Sequence, residues 1–237
     1  MRLRVRYTKL GKVRFTSHRD TARIWERAMR KAGIPVVTSR GFTPRPRLSF
    51  GLALPTGAES TAEYLDIELV VDGLEQSELA VLPERLTVAL PGGFTALEAA
   101  EQDGGGSLQD EVTSVVWQLE VPAGADAAST ADRLLAAGEL PLERERKGER
   151  RVDDVRPAIV SLAPAADGTR LVAELATVGR GLRPAELAAV AFPGAAVAAL
   201  RVLRTHQWIE HDGNRRPPIS NAVMTLPDAV PAPLVGA

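Results

Sequence analysis

The sequence predicts an α+β protein of two domains, each built as a ferredoxin-like β-α-β-β-α-β unit. Three observations carry this prediction: apolar residues alternate in short strands, amphipathic helices separate the strands, and the same order of elements occurs twice. With 237 residues, 45% of them hydrophobic, the chain is long enough for two cores. The glycine-rich linker at residues 103–107 predicts a division into domains 1–102 and 108–212.

The elements of the first domain follow from local patterns. Residues 2–7 alternate and predict a strand. A helix with Ser17 or Thr16 as its N-cap is predicted to run to about Ala32, because apolar residues recur at helical spacing and Gly-Ile-Pro follows. The other predictions are strands at 35–38, 62–71 and 94–100, a helix at 75–90, and a proline-stiffened loop at 39–47.

The second domain repeats this order. Its predicted elements are strands at 111–121, 140–146, 169–177 and 196–206, helices at 126–137 and 184–190, and an extended segment at 155–162. Residues 213–237 are rich in proline, alanine and valine and carry few charges, which predicts a largely disordered tail.

Composition excludes several classes of protein. The chain contains no cysteine, so it forms no disulfide, thiolate metal site or iron–sulfur cluster. His18, His206 and His211 are too few for a zinc site without carboxylates, and we expect neither a metal nor a cofactor. A run of 18 apolar residues and a signal peptide are both missing, which predicts a soluble cytoplasmic protein.

Charge is distributed unevenly along the chain although the net charge is −1. Residues 1–50 contain 14 Lys and Arg against two acids, whereas residues 51–111 contain 13 acids against one base, Arg85. This asymmetry indicates a polyanionic partner, and RNA is the partner that we expect. The alternative is that the basic and the acidic segment neutralise each other through ion pairs.

Arginines on the first strand and the first helix are candidate RNA contacts. Because side chains alternate along a strand, Arg2, Arg4 and Arg6 share one face, which the helices of a ferredoxin-like layer leave open. The alternative is that acids of the second domain pair with them. On the helix, arginines at i, i+4 and i+8 form a stripe suited to a phosphate backbone. The stripe consists of Arg19, Arg23 and Arg27, with Arg30 alongside.

The loop after this helix is a further candidate RNA contact. It contains Arg40, Arg45 and Arg47, interleaved with prolines and Phe42. Interleaved arginine and aromatic side chains suit single-stranded nucleic acid, and Phe42 is the predicted stacking residue. The alternative for Phe42 is a place in the hydrophobic core.

Two further features have a functional and a structural interpretation. Arg180 and Arg183 precede a predicted helix whose first amides could bind an anion, although an ordinary turn explains the pattern equally well. His18 is the one candidate general acid or base. Endoribonucleases of tandem ferredoxin-like fold often use a histidine near the first helix, but a structural role is the alternative. The chain contains no standard catalytic motif.

Several short motifs are shared with a known family. They include Tyr7-Thr8-Lys9, Arg14-Phe15, Ser17-His18-x-Asp20, Ser39-x-Gly41-Phe42-x-Pro44-x-Pro46, Leu54-Pro55-x-Gly57, Asp154-Val155-Arg156-Pro157 and Leu182-Arg183-Pro184. In these motifs the chain resembles the radical-SAM-linked family of uncharacterised bacterial domains, over most of residues 1–210. The resemblance implies a radical SAM partner, which we expect to be encoded separately. Family members are often encoded near ribonuclease E/G-type genes, which favours RNA, and the resemblance implies no catalytic residue.

The sequence therefore leaves three functions open. The favoured one is an accessory RNA-binding protein, with tRNA among the candidate ligands, that acts with a separate radical SAM enzyme in RNA modification or processing. The second is a metal-independent endoribonuclease that uses His18. The third is an adaptor of the radical SAM partner without nucleic-acid contact, whose acidic segment binds a basic protein surface.

Overall fold

The structure, a computed structural model, describes residues 1–42, 44–102, 106–146, 148–179, 181–196 and 200–219. It has a mixed α/β fold with mainly antiparallel strands. The chain divides into two compact units, the first containing Met1–Val112 and the chain again from Trp208, the second containing Thr113–Gln207. The boundary lies beyond the predicted linker, of which residues 103–105 are outside the described residues, and the sequence does not predict the return at Trp208.

The first unit is a layer of antiparallel strands with two main helices. Its strands lie in the order β4-β1-β3, and β2 pairs with β3 as well. The elements are β1 (Arg2–Lys9), α1 (His18–Lys31), β2 (Leu48–Phe50), β3 (Glu59–Glu68), α2 (Gln76–Ala89), β4 (Phe94–Gln102) and the short α3 (Leu108–Glu111).

Helix α1 confirms its prediction from sequence. Ser17 is the N-cap, and its Oγ accepts a hydrogen bond from the backbone N–H of Asp20 at 3.1 Å. This bond satisfies one of the amides that a helix start leaves without an intrahelical partner. The helix ends before Gly33, whose φ of +62° favours glycine.

The core of the first unit lies between its strands and its helices. Leu3 and Val5 of β1 and Leu65 of β3 are completely buried there. Trp25 of α1 packs edge-on against Tyr7 of β1, with 4.8 Å between the ring centroids. The apolar half of each alternating strand therefore faces the helices, and the polar half faces away from them.

The second unit contains its own antiparallel strands in the order β10-β5-β9-β8. Its elements are β5 (Ser114–Glu120), α4 (Ala127–Ala136), β6 (Pro141–Arg146), β7 (Glu149–Asp154), β8 (Ile159–Pro164), β9 (Arg170–Ala176), α5 (Pro184–Ala191) and β10 (Val202–His211). The last strand is shared, because its residues up to Gln207 belong to the second unit and those from Trp208 to the first.

The predicted strand at 140–146 has a different role from the one expected. It forms β6, which pairs with β7 in a separate two-stranded hairpin. Both strands consist mainly of charged residues, so neither face of the hairpin is apolar enough to cover a helix. The strand that joins the main sheet is β8, in which Ile159 and Leu162 are buried. The sequence pattern had suggested only an extended segment there.

The first residues of the tail that was predicted to be disordered, up to residue 219, are ordered. A short strand, β11 (Asn214–Arg216), pairs with β10, and Ile219 is only 3% exposed. Residues 220–237 of the predicted tail lie outside the described residues. In the part of the chain that the structure describes, no helix is long and apolar enough to cross a membrane.

Candidate nucleic-acid interface

Arg4, a predicted RNA contact on β1, is buried in an ion pair. Its Nε and Nη2 donate to Oδ1 and Oδ2 of Asp66 at 2.7 and 2.9 Å. Its Nη1 donates to the backbone oxygen of Pro218 at 3.1 Å and lies 3.8 Å from Oε2 of Glu111. Because Arg4 is only 2% exposed, it cannot reach a phosphate, and the prediction is wrong for this residue.

The neighbouring arginines of β1 follow the same pattern. Nη1 of Arg6 donates to Oε1 of Glu98 at 3.0 Å, and its Nε donates to the backbone oxygen of Thr61 at 3.2 Å. Arg2 is half-buried. Arg4 and Arg6 are therefore neutralised by acids, and the strand face is not the open, basic one expected from the sequence. The acids that pair with Arg4 and Arg6 belong to the first unit, not to the second domain as the alternative prediction assumed.

Burial of Lys9 was not predicted from the sequence, yet this residue is only 3% exposed. Its Nζ donates to the backbone oxygen of Thr16 at 2.7 Å and so holds the turn that leads into α1. Burial lowers the pKa of Lys9, and the nearby Glu63 partly offsets this shift. Lys9 lies two residues after the buried Tyr7 in the alternating pattern of β1, and this position was the available sequence signal.

The outer face of α1 carries four exposed arginines, which we call the arginine stripe: Arg19, Arg23, Arg27 and Arg30. Nη1 of Arg23 lies 3.2 Å from Oδ1 of Asp20, and both side chains are more than half exposed, so this pair binds weakly. The side chains of the other three have no hydrogen bond or ion pair with a described residue. The acidic segment therefore neutralises β1 and leaves the stripe available.

Hydrogen bonds join the two ends of residues 39–47, which we call the arginine loop. The backbone N–H of Ser39 donates to the oxygen of Arg45 at 2.8 Å, and the N–H of Arg45 donates back to Oγ of Ser39 at 3.1 Å. Arg40 and Arg45 are exposed and have no ion pair with a described residue. Arg47 lies 3.0 Å from Oε2 of Glu68 in an exposed pair. Thr43 lies outside the described residues.

Phe42 at the tip of the arginine loop is fully exposed. Its alternative place in the hydrophobic core is therefore wrong. An exposed phenylalanine between arginines is a surface on which an unpaired base can stack. The stripe and this loop both belong to the first unit and together present five exposed arginines without partners among the described residues.

Phe15, which precedes α1, is a second exposed aromatic that the sequence analysis missed. It is 61% exposed, and the guanidinium carbon of Arg14 lies 4.7 Å from its ring centroid. Such a cation–π pair resembles the arginine and aromatic combination of the loop. The adjacent Arg14-Phe15 in the sequence was the available signal.

His18 lacks the neighbours of a catalytic base. It is exposed at the first position of α1, and its ring packs edge-on against Phe50, with 5.3 Å between the centroids. It forms no hydrogen bond with another described residue that would orient the imidazole. Within the described residues, no group of three or more His, Asp or Glu side chains could hold a metal ion.

The weaker anion site predicted in the second unit is taken by the protein itself. Arg183 is the N-cap of α5, and Oε2 of Glu186 accepts its backbone N–H at 3.0 Å. The other carboxylate oxygen of Glu186 pairs with Arg144. A carboxylate therefore already occupies the positive end of this helix. Arg180 lies outside the described residues.

Comparison with known proteins identifies the family but no function. Residues 2–184 match the model of the family described as "Uncharacterized protein conserved in bacteria (DUF2344)". The chain belongs to this family. The DUF2344 match includes β1, the arginine stripe and the arginine loop, and it confirms the expected membership in an uncharacterised bacterial family. No curated protein matches the chain. The link of DUF2344 to radical SAM enzymes stays a prediction.

Proposed function

We propose that the protein binds single-stranded RNA through the arginine stripe and the arginine loop. The observation that carries the proposal is the contrast between the two sets of arginines. Arg4 and Arg6 on β1 are paired with acids of the first unit, whereas five of the seven arginines on α1 and the loop are exposed and have no side-chain partner among the described residues. The other two, Arg23 and Arg47, form exposed pairs only. Unneutralised arginines on one surface attract a polyanion and bind its phosphates without reading sequence.

In this proposal the protein is an accessory factor that presents RNA to a separate radical SAM enzyme. The resemblance to the radical-SAM-linked family supports such a partner. The chain itself has no cysteine to ligate an iron–sulfur cluster, so the partner would supply the reaction. Affinity purification of the tagged protein, followed by identification of both RNA and protein, tests this role. Recovery of neither RNA nor a radical SAM enzyme would contradict it.

The detailed fold of the two units is a further part of the proposal. We propose that each unit is a ferredoxin-like β-α-β-β-α-β fold. In the first unit, the neighbours β4-β1-β3-β2 support this, and in the second unit the neighbours β10-β5-β9-β8 do so. With the four strands of each unit counted in chain order, both correspond to the arrangement 4-1-3-2. RNA-recognition domains bind on the open sheet face of a similar layer, but here the proposed contact is on the helix side.

Replacing Phe42 with alanine is expected to weaken RNA binding by about five- to 150-fold, because stacking of one base on an aromatic ring contributes about 1–3 kcal/mol. Stability should not change, since the side chain is fully exposed. Phe42→Trp is the matched control, because it keeps a stacking surface and should keep the affinity. Fluorescence anisotropy with labelled oligouridine measures both variants. Equal affinity of Phe42→Ala and the wild type would remove Phe42 from the interface.

Replacing His18 with alanine is expected to leave RNA binding unchanged and to abolish no RNA cleavage that the wild-type protein shows. The exposed ring has no orienting hydrogen bond among the described residues, so we assign it a structural contact with Phe50. Incubation of end-labelled RNA with each protein in the presence of a chelator, followed by gel analysis, checks this. A reproducible cleavage product that His18→Ala no longer generates would favour the endoribonuclease hypothesis instead.

A further inference from the structure

Phe15 is exposed at the end of a short 3₁₀ turn, Gly11–Phe15, that connects β1 to α1. The ring is 61% exposed, and the guanidinium group of Arg14 packs over it at 4.7 Å from the ring centroid. A large apolar side chain gains free energy from burial, and Phe15 is one that the first unit leaves in contact with solvent. We call residues 11–15 the Phe15 turn.

Polar contacts inside the first unit anchor both ends of the Phe15 turn. Where the turn begins, the backbone N–H of Gly11 donates to Oε1 of Glu59 at 2.7 Å. Directly after it, the backbone oxygen of Thr16 accepts a hydrogen bond from the buried Nζ of Lys9 at 2.7 Å. Burial of a charged group is costly, so these contacts fix the turn although they desolvate Lys9 and Glu59.

Two glycines pack closely against the same turn. A Cβ atom at Gly93 would lie 2.7 Å from the backbone oxygen of Leu10, so this approach requires glycine. The backbone N–H of Gly57 donates to the oxygen of Arg14 at 2.9 Å, and a Cβ atom at Gly57 would lie 3.8 Å from Cε1 of Phe15. The exposed ring is therefore mounted on a fixed backbone, which reduces the entropy lost when a ligand stacks on it.

The Phe15 turn and the arginine loop lie at opposite ends of the first unit. Lys9, which holds the turn, faces Ser60 of β3 in the register, whereas Arg47 of the loop is bonded to Glu68 at the other end of β3. The eight residues from Ser60 to Glu68 span about 26 Å. Helix α1, with the arginine stripe, begins shortly after the turn and has 14 residues, a length of about 21 Å.

We propose that Phe15 is a second stacking residue and that the RNA reaches from Phe15 to Phe42 along the arginine stripe. This inference rests on the proposed function and defines the class of its ligand, RNA with an unpaired stretch of about six to eight nucleotides. The number follows from the span of about 21–26 Å and a spacing of about 3.4 Å between stacked nucleotides of a strand. It lies within the range of about 4–16 nucleotides that single domains bind.

Oligouridines of three to twelve nucleotides, competing with a labelled dodecamer for the full chain, test this length requirement. The wild type should bind the octamer much more tightly than the trimer, which is too short to reach both rings. Phe15→Ala should weaken binding of the octamer by about five- to 150-fold and of the trimer by about twofold at most, because Phe42 still offers a stacking site. Phe15→Trp should keep the affinity, and so should Val70→Ala, which shortens another exposed apolar side chain.

Photo-cross-linking gives a second readout that does not depend on affinity. An octauridine with a single 4-thiouridine at its 5′ end should cross-link to the peptide that contains one of the two phenylalanines, Phe15 or Phe42. The same octamer with the 4-thiouridine at its 3′ end should cross-link to the other. Cross-links of both octamers to the Phe42 peptide alone would contradict the proposal.

The outcomes separate this inference from the proposed function. If the wild type binds the octamer through the arginine stripe and Phe15→Ala binds it equally well, Phe15 is not a stacking residue and the inference is wrong, while RNA binding stands. If the wild type binds no oligouridine of any length, the proposed function itself is wrong. If the trimer binds as tightly as the octamer, the site is short and does not extend along α1.

Discussion

Replacing Arg4 with alanine is expected to lower the free energy of unfolding by about 3–5 kcal/mol, the largest effect that we anticipate for a single substitution. The change leaves Asp66 buried without its bidentate partner, and it also removes the donor to Pro218. A buried carboxylate that loses its cation keeps the full cost of its desolvation. Urea unfolding followed by circular dichroism measures the loss.

Two further variants test whether the lost stability comes from breaking a buried ion pair. Arg6→Ala is the matched control, because Arg6 also pairs with an acid but both partners are partly exposed, and about 1 kcal/mol or less is expected. The double variant Arg4→Met with Asp66→Leu should recover most of the stability, since it removes both charges together. If Arg4→Ala costs no more than Arg6→Ala, Arg4 does not stabilise the first unit as its contacts imply.

Replacing Arg19 and Arg27 with glutamine is expected to flatten the salt dependence of RNA binding. If the stripe and the loop together neutralise about five phosphates, the logarithm of the affinity should fall against the logarithm of the salt concentration with a slope near −3.5. Each lost contact should reduce the steepness by about 0.7, and the two substitutions together by about 1.4. Anisotropy titrations with oligouridine and with a mixed sequence should give the same change, because phosphate contacts carry no sequence information.

A pair of arginines in the second unit controls for the change in net charge. Arg150→Gln with Arg151→Gln removes the same two charges from β7, where each arginine pairs with a glutamate. Its slope should equal that of the wild type. If both pairs flatten the slope equally, the attraction comes from net charge and not from the stripe. If the α1 variant instead unfolds more easily and binds RNA as before, the stripe has a structural role and the nucleic-acid proposal fails for this face.

Local patterns were sufficient to predict α1. Its cap, its buried face and its terminating glycine all lie within a few residues of one another, so the sequence contains every interaction that defines it. The exposed arginines of the stripe follow directly, because the helical period alone decides which residues oppose the buried Trp25.

The neutralisation of β1 could not be predicted in this way. Whether Arg4 meets an acid depends on the register between β1 and β3, which places Asp66 opposite it across a separation of 62 residues. A shift by one residue would have turned Arg4 to the helix side. The charge asymmetry thus allowed both paired and exposed arginines, and the structure has buried or half-buried paired ones on β1 and exposed ones on α1. Strand β7, and with it the hairpin that it forms with the predicted strand β6, was missed because residues 149–154 lack apolar alternation.

The bond between Arg4 and Pro218 also sets an order of events during synthesis. The acceptor of Arg4 leaves the ribosome 214 residues after Arg4 itself. At translation rates of about 5–20 residues per second, this separation corresponds to a delay on the order of 10–40 s. Near the end of that interval, once Gln207 has been added, the segment Thr113–Gln207 of the second unit has been synthesised, while the first unit still lacks the segment that begins at Trp208. The first unit therefore starts to be translated before this segment of the second unit and receives its acceptor for Arg4 after it.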